Sequence, residues 1–251
     1  MSMVSAHDPQ AHKIQFLCKT PLCAGLSAAD LTTLANDFGV RKYDRDEIIF
    51  HQGDESQEFY IIVQGKIRVF TTSPSGGETS IVIFSVGDVI GEYAAVDSRP
   101  RSATAKAIAP TVLLAMTQDK LLQHMRNMPD LALGMIKLLA AKARWTAEYA
   151  EAVAQYDAAD RLMHVLLQYS ERLGEAVEPG RVYELDLGLS QADLATLVGA
   201  RREWINRILQ DWRKRGLIDY RAGKIIILDL PRVQAELDCR TAASRESHDG
   251  W

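Results

Sequence analysis

The stretch Gln191–Gln210 constrains this chain more than any other, because two short helical patterns meet there at a glycine. It reads Gln191-Ala-Asp-Leu194-Ala195-Thr-Leu-Val198-Gly199-Ala200-Arg201-Arg202-Glu203-Trp204-Ile205-Asn206-Arg207-Ile208-Leu209-Gln210. Helices that cross through a tight turn need a small residue where they touch, supplied by Ala195. They also need a residue that tolerates positive φ at the turn, supplied by Gly199. Leu194, Val198, Ala200, Ile205 and Ile208 then form the apolar seam between them. On a helical wheel of about 100° per residue with Arg202 at zero, Asn206, Glu203 and Arg207 fall at roughly 40°, 100° and 140°. Trp204, Ile208, Trp212, Ile205 and Leu209 fall between roughly 200° and 340°. The pattern predicts one buried apolar face and one polar face crowded near the N-terminus, as in a helix that enters the major groove of double-stranded DNA. Arginine can bond guanine O6 and N7 in bidentate fashion, and glutamate can accept from cytosine N4. An ordinary amphipathic helix would account for the charges, but not for Ala195, Gly199 and both seams together.

Charge placement agrees with a DNA-binding role. The chain as a whole is acidic, at −4 over 251 residues. From Ala200 to Lys224, however, Arg201, Arg202, Arg207, Arg213, Lys214, Arg215, Arg221 and Lys224 face only Glu203, Asp211 and Asp219. Eight positive charges less three negative ones leave +5, the footprint of a DNA-facing patch. A composition of 47% hydrophobic and 25% charged residues is that of a globular protein. No apolar stretch approaches the ~20 residues needed to span a bilayer, and residues 1–13 carry no signal-peptide pattern. A cytoplasmic location without a membrane partner is expected. Cys18, Cys23 and Cys239 are too few for a four-cysteine cluster and are expected as reduced thiols, so no metal centre is expected.

Residues 11–38 read as helical, with Ser27 as an N-cap. Between 40 and 116 the texture changes to short β-rich runs at 47–50, 59–63, 66–70, 79–84 and 111–115, broken at Gly53, Gly65, Gly76-Gly77 and Gly87. Strands at this spacing imply an antiparallel sandwich or barrel. Gly76-Gly77 lacks the lysine and following helix of a phosphate loop, so a hairpin turn is expected there. A long helix comes after Pro129-Asp130. Leu131, Met135, Leu138, Lys142, Trp145, Tyr149, Ala152 and Tyr156 recur along it in steps of four and three, a heptad seam interrupted by one lysine. A partner helix, hence a homodimer, is the expected cover, with packing against the chain's own β domain as the alternative. Asp157 and Asp160 predict a new helix to about residue 173. Residues 217–220, a turn at Ala222-Gly223 and residues 224–228 read as the β-hairpin of a winged helix, closed by a helix over 230–237.

A second segment, residues 87–103, carries a different chemistry. Gly91 opens a run of helix formers whose free N–H groups would face a small anion. Arg101 and Ser102 return ten residues later with a guanidinium and a hydroxyl suited to phosphate, and Glu92 offers an acceptor for a ribose hydroxyl. Alone, such an Arg–Glu pair is more often a surface salt bridge.

Gly91-Glu92, the short helix after them and Arg101-Ser102-Ala103 resemble the phosphate-binding cassette of the cyclic AMP receptor protein family (CRP/FNR regulators). The resemblance extends over roughly residues 20–235. It implies an α+β architecture: an N-terminal cyclic-nucleotide-binding antiparallel β-barrel, jelly-roll-like, at 14–128; a long dimerisation helix at 129–156; and a C-terminal winged helix-turn-helix domain at 157–238. Residues 239–251 are expected as a disordered tail. The resemblance further implies that Gly91, Glu92, Arg101, Ser102 and Ala103 hold the ribose and cyclic phosphate. Thr146 matches the family's base-contacting threonine, Ala147 replaces a serine that reaches across the dimer, and Lys142 replaces an arginine that steadies the ribose-binding glutamate, so Lys142 is expected to pair with Glu92. The family's base-reading positions fall on Arg202, Glu203 and Arg207, with Arg201 and Asn206 beside them, which implies a TGTGA-like half-site present twice. Taken whole, the resemblance implies a homodimeric transcription regulator controlled by cyclic AMP, with no covalent cofactor, with double-stranded DNA and RNA polymerase as partners, and no enzymatic activity. The alternative keeps the DNA role with another effector (2-oxoglutarate, haem-bound gas or redox state) or none. His51, Cys18 and Cys23 are then the residues to consider, although no paired ligand accompanies them.

Overall fold

A computed structural model describes residues 9–55, 57–221 and 224–248. The chain divides into two compact units. One holds residues up to Thr72 with Ile83–Trp145, the other Ser73–Val82 with the residues from Thr146 onward. The segment 129–156, expected as a separate module, is thus shared between them.

The first unit opens with α1 (Pro9–Leu17), a 3₁₀ turn at Pro21–Cys23 and α2 (Ala28–Asp37). Ser27 caps α2 with a reciprocal capping box: its Oγ accepts from the Asp30 amide at 3.2 Å, and the Asp30 carboxylate accepts from the Ser27 amide at 3.3 Å. Eight strands come next along the chain, of which β5 begins in the Ser73–Val82 segment of the second unit: β1 (Gly39–Tyr43), β2 (Ile48–Phe50), β3 (Phe59–Gln64), β4 (Ile67–Thr72), β5 (Glu78–Phe84), β6 (Val89–Ile90), β7 (Thr104–Ala107) and β8 (Thr111–Met116). They form two antiparallel sheets, ordered β1-β8-β3-β6 and β2-β7-β4-β5. Successive side chains of a strand point to opposite faces, and β3 uses both. Tyr60 and Ile62 meet Phe50, Ile67, Ala105 and Leu113 between the sheets, whereas Phe59 and Ile61 meet Leu17, Leu34 and Phe38 beneath the helices. Burial on both faces explains why Phe59-Tyr-Ile-Ile-Val63 reads as an unbroken apolar run. Gly76, at φ 82°, forms the expected hairpin turn, and the Ser73 amide donates to the Gly77 carbonyl at 2.9 Å.

After α4 (Gln118–Asn127) comes the long helix α5 (Pro129–Gln155). Its placement corrects part of the expected dimer seam. Leu131 and Met135, 0% and 1% exposed, lie inside the chain's own core with Leu17, Leu22 and Leu34, and Leu138 packs against the same cluster. A helix this long carries two apolar stripes, and the one with the larger side chains is consumed by its own domain. The other stripe is more open: Leu133 and Ile136 are 47% and 61% exposed, and half-buried Ala140 with exposed Ala143, Ala147 and Ala150 continues it in steps of four and three.

The second unit contains α6 (Ala158–Leu173), β9 (Glu175–Glu178), β10 (Val182–Leu185), α7 (Gln191–Leu197), α8 (Arg202–Lys214), β11 (Ile218–Arg221), β12 (Lys224–Ile227) and α9 (Leu230–His248). Asp157 caps α6 as expected, accepting from the amides of Ala159 and Asp160 at 2.8 and 2.9 Å. The expected wing hairpin, β11 and β12, belongs to a four-stranded sheet ordered β11-β12-β10-β9; the turn expected at Ala222-Gly223 lies outside the described residues. The expectation of a disordered 239–251 is corrected over Cys239–His248, which continue α9. Arg240 anchors that helix by pairing with Asp157 and Asp160 at the start of α6.

Candidate effector pocket and nucleic-acid interface

In the first unit the cassette is built around Gly91, which caps α3 (Glu92–Asp97) at φ 78°. A Cβ at Gly91 would lie 2.5 Å from Arg101 Nη1 and 2.9 Å from the Glu58 carbonyl, so only glycine fits. Arg101 is 3% exposed. Its Nη1 donates to the Gly91 carbonyl at 2.8 Å, its Nη2 donates to the Glu58 carbonyl, and its guanidinium carbon lies 4.2 Å from the centre of the Phe50 ring. Backbone bonds fix the residue as well, since its amide donates to Asp54 and its carbonyl accepts from Gly53 at 2.9 and 2.8 Å. Burial pulls the Arg101 pKa down from its ordinary value, against the opposing pull of the Tyr60, Glu58, Glu92 and Asp54 sites.

Glu92 is 1% exposed, and its carboxylate accepts from Lys142 of α5 at 2.7 Å. The ammonium also donates to the Val89 carbonyl at 2.8 Å and lies 4.4 Å from the centre of the Phe84 ring. The expected Lys142–Glu92 pair is therefore formed. Ala103 is buried, and Ser102 and Thr146 are exposed. A buried carboxylate and a buried guanidinium flanking a left-handed glycine can together bind a group with a free hydroxyl and one negative charge. Glu58 and Phe50, which hold Arg101, were missed in the sequence because neither carries a local motif.

In the second unit Gly199, at φ 63°, makes the turn between α7 and α8. Leu194, Ala195, Val198, Ile205 and Ile208 are all buried at the crossing, as the helical wheel requires. Trp204 departs from it: expected on the apolar face, it is 45% exposed, with the Arg207 guanidinium 5.4 Å from its ring centre. At the margin of the apolar arc its ring becomes a stacking partner for arginine instead of core. Arg201, Arg202, Glu203 and Arg207 are exposed and Asn206 is half-buried. The wider basic patch contracts, because Arg213 and Arg221 pair with Asp219, Arg215 with Asp211 and Glu236, and Lys224 with Glu184. Most of the positive charge that these pairs do not consume sits at the first turns of α8.

Of the remaining residues expected in the dimer seam, Tyr149 donates to the Leu197 carbonyl at 3.2 Å, and Tyr156 meets His164 edge-on with ring centres 6.1 Å apart. Trp145 is half-buried. Among the described residues no group of three or more His, Cys, Asp or Glu is placed to hold a metal, and no helix is long and apolar enough to cross a membrane.

A β-sandwich with a buried Glu–Arg cassette, followed by a winged helix-turn-helix, defines a class of ligand-responsive DNA-binding proteins. Family comparison agrees on both halves: the cyclic nucleotide-binding domain family matches residues 40–128 and the Crp-like helix-turn-helix domain family residues 160–236. The chain is 26% identical over 219 residues to the CRP-like cAMP-activated global transcriptional regulator of Mycobacterium tuberculosis, covering 87% of this chain and 97% of that protein. It is 28% identical over 207 residues to the cyclic AMP receptor protein of Thermus thermophilus, covering 82% and 91%. Its fold also matches that of the c-di-GMP responsive global regulator CLP of Xanthomonas campestris, with a TM-score of 0.68 and 20% identity over 80% of this chain and 99% of that one. The chain belongs to the CRP/FNR family of transcription regulators, and is a DNA-binding regulator rather than an enzyme.

Proposed function

We propose that this regulator works as a homodimer in the cytoplasm, controlled by cyclic AMP and reading a TGTGA-like palindrome. Gly91, Glu92, Arg101, Ser102 and Ala103 would take the ribose and cyclic phosphate, with Lys142 steadying Glu92 and Thr146 facing the base. Arg202, Glu203 and Arg207 would read base edges, with Arg201 and Asn206 contributing nearby contacts. The observation that carries the proposal is the Lys142–Glu92 bond, which ties the long helix to the cassette at the position where a nucleotide would sit. Ligand that favours one placement of this helix can act on the DNA-reading half through differential affinity for two states. The dimer seam is reassigned to Leu133, Ile136, Ala140, Ala143, Ala147 and Ala150, whose spacing suits a left-handed pair of helices. Two recognition helices about 34 Å apart would then meet successive major grooves, and the bound dimer would engage RNA polymerase. Calorimetry tests the pocket: cyclic AMP should bind the full-length protein, and Arg101→Ala should abolish binding. Undiminished binding by that variant removes the assignment.

One observation favours a second reading, in which DNA is bound without an effector. Lys142 already occupies one Glu92 oxygen, and the Arg101 guanidinium rests on backbone carbonyls and the Phe50 ring. On that reading calorimetry finds no nucleotide binding, while operator binding persists.

A further inference from the structure

Side chains outside the pocket and the reading face grip the end of α7. The last carbonyls of an α-helix have no partner within the helix. Here the Leu197 carbonyl accepts from the Tyr149 hydroxyl of α5 at 3.2 Å, and the Val198 carbonyl accepts from Arg161 Nε of α6 at 2.7 Å. The same guanidinium donates through Nη1 to the carbonyl of Tyr156, just past the end of α5. It also covers the turn itself, since a Cβ on Gly199 would lie 3.9 Å from Arg161 Nη2. One arginine therefore bridges the foot of the long helix and the turn that sets the direction of α8. Tyr149 is half-buried, and burial pushes its pKa up while the Arg161 charge pulls it the other way, so the hydroxyl keeps its proton as a donor.

We propose that Tyr149 and Arg161 are positioning residues that fix α7, and with it the recognition helix, to the C-terminal end of α5. Neither residue belongs to the reading face. Sequence-specific binding depends on them because Arg202 and Arg207 read sequence only where the recognition helix brings them to base edges, whereas phosphate contacts carry no sequence information. The inference rests on the DNA-reading role of α8.

The test uses full-length Tyr149→Phe and Arg161→Lys, with a duplex that the unaltered protein selects from random sequence, so that no operator is assumed. Loss of one neutral hydrogen bond predicts about fivefold weaker specific binding for Tyr149→Phe. Arg161→Lys, whose single ammonium cannot span both carbonyls, should lose about tenfold or more. Binding to non-specific duplex and its salt dependence should stay unchanged, because Arg201, Arg202 and Arg207 remain. In the free protein, amide exchange over residues 195–201 should accelerate in both variants while that of α6 holds. Specific affinity equal to that of the unaltered protein in both variants overturns the clamp, as does a parallel fall in non-specific binding, which would report general unfolding. If the unaltered protein enriches no sequence, the DNA-reading role fails; the clamp is then decided by amide exchange alone, and unchanged exchange over 195–201 overturns it.

Discussion

Replacing Lys142 by Met should destabilise the first unit far more than the loss of a surface charge would. Glu92 is 1% exposed, and Lys142 is its 2.7 Å partner with a side chain 17% exposed. Removing one member of a buried pair leaves the other charge uncompensated, at about 3–5 kcal/mol. The partial exposure of Lys142 lets water reach the site, so we set the cost at about 2–4 kcal/mol. The Val89 carbonyl loses its donor as well, which lies within that range. The second change, Glu92→Gln, removes the orphaned charge, so the double variant Lys142→Met/Glu92→Gln should recover all but about 1 kcal/mol. The assay is urea unfolding read by amide exchange in β3, which isolates this unit from the DNA-reading one; the midpoint should shift with the slope unchanged. If the single variant loses less than about 0.5 kcal/mol, or the double variant is no more stable than the single, the buried-pair argument is refuted.

Other outcomes rest on the same geometry. Ile136→Glu should convert a dimer to a monomer in sedimentation while leaving thermal unfolding of each unit within a few degrees, whereas Leu131→Glu should unfold the first unit, because Ile136 is 61% and Leu131 0% exposed. Arg202→Ala should weaken sequence-specific DNA binding about tenfold or more by competitive titration, whereas Arg213→Ala, whose guanidinium already pairs with Asp219 at 3.1 Å, should change it little. Burial pulls the His164 pKa below its ordinary value, with Glu148 opposing. The unfolded chain then binds the extra proton first, so this contribution to stability is complete above about pH 6.5 and is lost as pH falls through the folded pKa. His164→Gln should flatten that part of the stability profile between pH 5 and 7, and an unaltered slope would contradict the assignment.

The local signals in the sequence were those with one physical meaning. Ser27, Asp157 and Gly199 each answer a steric or hydrogen-bonding demand within a few residues, and the structure realises all three. The heptad on α5 was legible as an apolar stripe but not as to its cover. Periodicity tells which residues share a face, not whether the chain's own core or a second copy packs there, and Leu131 and Met135 went to the chain's own core. β7, Thr104–Ala107, escaped notice because its small residues carry little strand signal, and its burial comes from strands distant in sequence. Arg240 looked like part of a polar tail until α6 supplied carboxylates 80 and 83 residues away. Within the cassette, Glu92 and Arg101 were legible from spacing, whereas the inward turn of Arg101 onto Phe50 depends on a side chain about fifty residues earlier.

The most direct test is a titration of the whole protein onto a TGTGA palindrome and onto a single half-site, with cyclic AMP, with cyclic GMP and with neither. We expect cyclic AMP to tighten binding to the palindrome at least about tenfold, corresponding to a coupling of ~1.4 kcal/mol, with a far smaller effect on the half-site. Equal affinity for palindrome and half-site under all three conditions would contradict a nucleotide-controlled pair of recognition helices.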